Sequence, residues 1–178
     1  MRKAAALALL LAPAACAPRR PEARVLAGAD LAAYRRLAVL PYGDRAGEGR
    51  AYAPAAAKAL YAMGYDVAPL EAVESLLRDL DVRRGEPVGL PTLHELRRRT
   101  QAQAVVLGTV ACARDPKARR VTVLFVDSAR GDAVFELAYS PERCGTDAGA
   151  EEAAVRLAAR VRREVGDRLT GRTEGALP

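Results

Sequence analysis

The sequence predicts one mixed α/β domain (an α+β mixed sheet) with about five strands, three of them in a β-meander, and three to four helices packed on the sheet. Three observations predict it. Leu37 to Tyr42 (LAVLPY) is a continuous apolar run, the pattern of a strand covered on both faces. Val73, Leu76, Leu77 and Leu80 recur at the i, i+3, i+4, i+7 spacing of a helix that buries one stripe. Between Ala104 and Tyr139, three β-rich runs are separated by two short turns, which favours antiparallel neighbours.

Taken in order, Asp30 to Arg36 predicts a short helical turn leading into the domain, and Leu37 to Tyr42 the first strand, ended by Pro41 and the loop GDRAGEG. Ala51 to Met63 reads as a helix, with Pro54 in its first turn and Gly64 just past its end. Tyr65 to Pro69 is the second strand, and Glu71 to Asp81 the helix that carries the leucine stripe. Val82 to Leu90 (VRRGEPVGL) is a loop rich in glycine and proline. Pro91 to Gln101 starts another helix, with Leu93 and Leu96 inward and Arg97, Arg98 and Arg99 mostly toward water. Ala104 to Ala113, Val121 to Val126 and Ala133 to Tyr139 are the meander strands, reversed at Asp115-Pro116 and at Ser128 to Asp132. Asp147 to Leu169 is a long helix with Ala154, Leu157, Ala158, Val161, Val165 and Leu169 on one face. Residues 30–170 therefore form the domain, and 171–178 a frayed, disordered tail.

The amino terminus has a different character. Arg2 and Lys3 precede an apolar run from Ala4 to Ala15, the layout of a secretory signal peptide over residues 1–15. The run is shorter than the roughly 20 residues of a membrane-spanning helix. The cysteine that follows makes the segment resemble a bacterial lipoprotein leader, in which Cys16 is lipidated (palmitate included) and becomes the new amino terminus. An ordinary signal peptide cut near Ala15, with Cys16 incidental, is the alternative. Residues 16–29, with two prolines, charges and no periodicity, read as a flexible tether. Ala17 stands where inner-membrane lipoproteins commonly carry aspartate. The resemblance thus implies the outer membrane, with the domain facing the periplasm.

Charge and composition narrow the partners. The chain carries 28 Lys and Arg against 22 Asp and Glu, so it is mildly basic. With no tryptophan, two phenylalanines and six tyrosines, it lacks the aromatic stacking platforms of single-stranded nucleic-acid binders. No nucleic-acid role is expected.

Several stretches resemble one known group. Leu37-Ala38-Val39-Leu40-Pro41 after an arginine-rich lead, the helix ending in Gly64-Tyr65, the strand Ala102 to Val110 with Gly108 in it, and the hairpin from Val123 to Val134 are similar to CsgG-like envelope lipoproteins. That group includes curli-secretion subunits and LpoB-type activators of penicillin-binding proteins, and related topology occurs in the amino-terminal domain of TolB. The resemblance covers residues 30–169 and implies an envelope lipoprotein that binds a protein partner, or a homo-oligomeric assembly component forming a ring at the outer membrane. It does not imply a pore: transmembrane strands need about 9–11 alternating residues, and VTVLFV and AVFELAY are shorter.

The residues offer little for catalysis. The loop Gly43 to Arg50 sits between strand and helix but lacks both the Gly-Lys-Ser/Thr ending of a P-loop and GxGxxG spacing. It reads as a flexible connection, or as a partner-binding loop through Asp44, Arg45, Glu48 and Arg50. His94 is the single histidine and has no second ligand at metal spacing. Glu71 and Glu74 are ordinary solvated carboxylates, Asp127 and Asp132 bracket a turn, and Arg97 to Arg99 is a solvated charge run or a contact for an acidic partner. No enzyme, cofactor or metal is expected. With Cys16 taken by lipid, Cys112 and Cys144 are an even pair in an oxidising setting. A bridge between them would contribute about 3 kcal/mol; two separate buried thiols are the alternative.

Overall fold

The computed structural model describes residues 23–26, 29–44 and 47–166. The expected leader, Cys16, the first part of the tether and the tail lie outside those residues. The elements are β1 (Ala23–Val25), β2 (Arg36–Val39), α1 (Tyr52–Ala62), β3 (Asp66–Val67), α2 (Leu70–Asp79), α3 (Leu90–Thr100), β4 (Ala104–Ala111), β5 (Arg120–Asp127), β6 (Ala133–Tyr139) and α4 (Asp147–Val165). The six strands make one open sheet in the order β1-β6-β5-β4-β2-β3. β2 is parallel to β3 and to β4, and the other pairings are antiparallel. The mixed sheet, the β4–β5–β6 meander and four packed helices are the architecture that the hydrophobic periods predict.

One strand is additional. Residues 23–25, assigned from sequence to the tether, pair with Phe135 to Leu137 of β6, and Arg24 Nε donates to Glu136 Oε2 at 2.6 Å. Three residues are too few to display a period of two, so this strand is specified by its neighbour rather than by its own pattern. β5 and β6 pair along their length within the sheet and bury Val121, Val123, Phe125, Phe135 and Leu137 in the core.

Strand alternation divides the interior into two cores. On one face Leu37, Val39, Ala104, Val106, Phe125 and Phe135 pack against Tyr52, Ala56 and Leu60 of α1 and Ala150, Leu157 and Val161 of α4. On the other, Ala38, Leu40, Val105 and Val126 meet Val73, Leu76 and Leu77 of α2 and Leu93 and Leu96 of α3. The helix ends follow ordinary capping chemistry. Gly64 takes φ 95° just past α1, and Thr146 Oγ1 accepts from the Gly149 N–H at 3.1 Å at the start of α4. Helix α2 ends at Asp79, two residues short of the expected Asp81, which adopts φ 52° in the following turn.

Candidate functional site

β2, β4 and β6 all finish at the same end of the sheet, and the loops after them converge there. Beyond Val39 the chain stays beside β4 but slips by one residue across Pro41, so that Gly43 pairs with Thr109: Leu40 N–H donates to Val106 O at 3.0 Å, Gly43 N–H to Gly108 O at 2.8 Å, and Val110 N–H to Gly43 O at 2.8 Å. This close apposition lays the Tyr42 ring directly over Gly108, where any Cβ would lie 2.3 Å from ring carbons. Burial pushes the Tyr42 phenol up, with Tyr139 and Tyr52 adding to it. Tyr42 is thus a core residue.

The Gly43–Arg50 loop is tied down from within. The Asp44 side chain is 3% exposed and its carboxylate accepts from the N–H groups of Gly47 and Gly49. Arg84 approaches the same carboxylate at 3.9 Å. Glu48 is half-buried, with its methylenes against Gly145, and Arg50 is exposed. Arg45 lies outside the described residues. Of the four residues proposed from sequence for partner contact, Asp44 therefore organises its own loop, while Arg50 is presented to solvent.

Across the same end, Cys112 and Cys144 are joined in a disulfide with Cα atoms 5.4 Å apart. Gly145, at φ 71°, sits against Glu48 and the Cys112 Sγ, and its N–H donates to Tyr52 Oη at 3.3 Å. The cystine therefore gathers the loops after β2, β4 and β6 ahead of α4. The Tyr52 phenol is raised, first by desolvation and then by Glu152 and Glu48, against the lowering effect of the Gly145 N–H.

The opposite face carries a cleft of about 440 Å³. Its floor is Leu40 from the end of β2, Leu107 of β4 and Leu124 of β5; Leu77 of α2 flanks it. Its roof is the 82–89 loop between α2 and α3, with Val82 and Val88 half-buried and Arg83 and Arg84 exposed. Arg78 and Glu74 of α2 stand at the mouth. The roof is anchored where Gly85, at φ 80°, touches Gly43 backbone to backbone: a Cβ on Gly43 would be 2.8 Å from Gly85 Cα. The sequence marks this segment only as a loop. Its role depends on leucines from three distant strands, which no local pattern connects to it.

Other polar residues singled out in the sequence are hydrogen-bonded within the domain. His94 Nε2 donates to Ala129 O at 2.9 Å, and Arg97 to Ser128 Oγ at 3.4 Å. Glu95 accepts from Arg98 and Arg99, Arg98 foremost, and these bonds hold its carboxyl down to about 2. Desolvation raises Asp127, but the N–H groups of Ala129 and Arg130, the Tyr34 hydroxyl and the Arg130 charge outweigh it and hold it low. Among the described residues, no cluster of His, Cys, Asp and Glu is arranged to hold a metal ion, and no helix is long and apolar enough to cross a membrane.

No protein-family profile matches the chain, and no curated protein sequence does. Solved structures do. The chain is similar to lipoprotein GNA1162 from Neisseria meningitidis at 17% identity, over 74% of this chain and 97% of that one, with a TM-score of 0.50. PelC from Paraburkholderia phytofirmans, crystallised as a dodecamer, matches at 21% identity over 80% of this chain and 95% of that one, with a TM-score of 0.47. The LpoB C-terminal domain from Salmonella enterica matches at 13% identity over 61% and 83%, with a TM-score of 0.45. At these identities the likeness is one of fold.

Proposed function

We propose that the chain is a non-catalytic envelope lipoprotein, anchored in the outer membrane through lipidated Cys16, whose periplasmic domain binds a protein partner in assembly, secretion or cell-wall synthesis. The observation that carries this reading is a leader-like run over residues 1–15, followed at once by Cys16, ahead of a domain that holds the Cys112–Cys144 cystine. Cystines persist in oxidising compartments outside the cytoplasm, where such a leader would deliver the chain. The fold, shared with a protein described as a lipoprotein, supports the same class. The CsgG-like grouping belongs to this proposal and rests on the stretches around Leu37, Gly108 and Val123.

The test is growth of cells expressing the full chain with an alkyne-bearing palmitate analogue. Label should enter the wild-type chain and be absent from Cys16→Ser, and the labelled chain should fractionate with outer membranes. A wild-type chain recovered unlabelled from the soluble periplasm would sink the anchoring. In-cell crosslinking of the labelled chain then reads the partner. A cell-wall synthase or secretion component supports the binding role, and recovery of its own chain alone replaces it with a self-assembled ring.

A further inference from the structure

We propose that the cleft beneath the 82–89 loop binds a single-chain anionic amphiphile: one aliphatic chain on the leucine floor, with a carboxylate head held by Arg78 and Arg83 at the mouth. The proposal stands apart from the anchoring and partner-binding reading, and neither requires the other. Four observations carry it. The cleft, about 440 Å³, falls inside the roughly 300–1,000 Å³ of small-molecule sites. Its floor offers apolar surface from Leu40, Leu107 and Leu124, of which the last two are only half-buried by the protein itself.

The charge at the mouth is unspent. Arg84 faces the inward Asp44 carboxylate, whereas Arg78 and Arg83 make no ion pair among the described residues. Glu86, three residues after Arg83, accepts from the Arg83 backbone N–H at 3.0 Å and so is held at the turn. Guanidinium groups recognise carboxylates through paired, charge-assisted hydrogen bonds.

The floor is also the face of a sheet whose strands are paired with one another. Leu107 is paired with Leu124 across β4 and β5, and the Leu40 N–H, both backbone groups of Gly43 and the Val110 N–H are bonded between β2 and β4. An extended peptide laid on that face would meet leucine side chains in place of partners for its own backbone groups, whereas an aliphatic chain needs none. This argument separates an acyl chain from a peptide occupant.

The experiment titrates the full chain carrying Cys16→Ser, so that no attached acyl group competes, with 11-(dansylamino)undecanoate, followed by displacement with laurate, dodecanol, inorganic phosphate or an acidic peptide. Saturable binding, displaced by laurate and less well by dodecanol, is expected. The double substitution R78E/R83E, both on exposed side chains, should weaken laurate at least about tenfold while the circular dichroism spectrum is kept. Four outcomes would overturn the proposal: no saturable binding, equal competition by laurate and dodecanol, unchanged affinity in R78E/R83E, or displacement by the peptide or by phosphate but not by laurate.

Discussion

A methyl group at position 108 has nowhere to go. The Tyr42 ring is buried against α1 and the sheet, with Tyr52 5.9 Å away centroid to centroid, and it cannot retreat from a Cβ 2.3 Å distant without disturbing that cluster. Gly108→Ala should therefore cost about 1–3 kcal/mol, the usual range for overpacking, read as a lower urea midpoint. Placing the same change in a Tyr42→Leu background should shrink the penalty, since the obstacle is the ring. At the surface, Glu95 makes a sign-definite prediction. Its carboxyl is held near 2 instead of its ordinary 4.5 by Arg98 first and Arg99 second. A depressed carboxylate stabilises the fold fully above its unfolded value and loses that contribution as pH falls through the folded one. A carbon-detected NMR titration should place the Glu95 midpoint well below the other glutamates, and Arg98→Ala should move it up. Because the pair is exposed, the effect on global stability should be small.

At the scale of elements, the cystine is the strongest constraint on the converging loops. It links positions 32 apart in sequence and stands immediately ahead of the Thr146 cap of α4. Replacing Cys112 and Cys144 with serine should lower stability by about 2–5 kcal/mol, the range for small exported domains. Amide exchange should quicken first in residues 140–146, because the meander keeps its own hydrogen bonds. Thr146→Ala is a milder probe of the same corner: about 1 kcal/mol for a lost cap, seen as fraying of the first turn of α4. Which elements were legible in advance follows from their periods. The stripe of Val73, Leu76 and Leu77, the apolar run at Leu37 and the β4–β5–β6 turns are local signals, and the chain obeys them. β1 carries no such signal, because Ala23–Val25 becomes a strand only by borrowing the edge of β6.

For the whole molecule, a sheet with helices on both faces could be anticipated from strands that bury both sides, and the two cores realise it. The cleft could not. Its walls come from residues near 40, 77, 83, 107 and 124, and only the return of the 82–89 loop to Gly43 brings them together. The Gly43–Arg50 loop, singled out for its position between strand and helix, is fastened by Asp44, a role that an aspartate ahead of small residues plays in many turns.

The edge strand β1 also sets a distance. Its antiparallel pairing places Ala23 beside Leu137, so the chain enters the sheet at the end where β6 finishes and the cystine lies. An acyl anchor at Cys16 would leave seven residue steps before Ala23, a leash of at most about 25 Å whatever path those residues take. Much of the nominal tether would then be docked to the domain and contribute no reach. Such a domain would ride close against the bilayer with its cystine end inward, and would meet partners near the membrane surface. Inserting a polar spacer ahead of Ala23 should extend that radius while leaving the fold untouched.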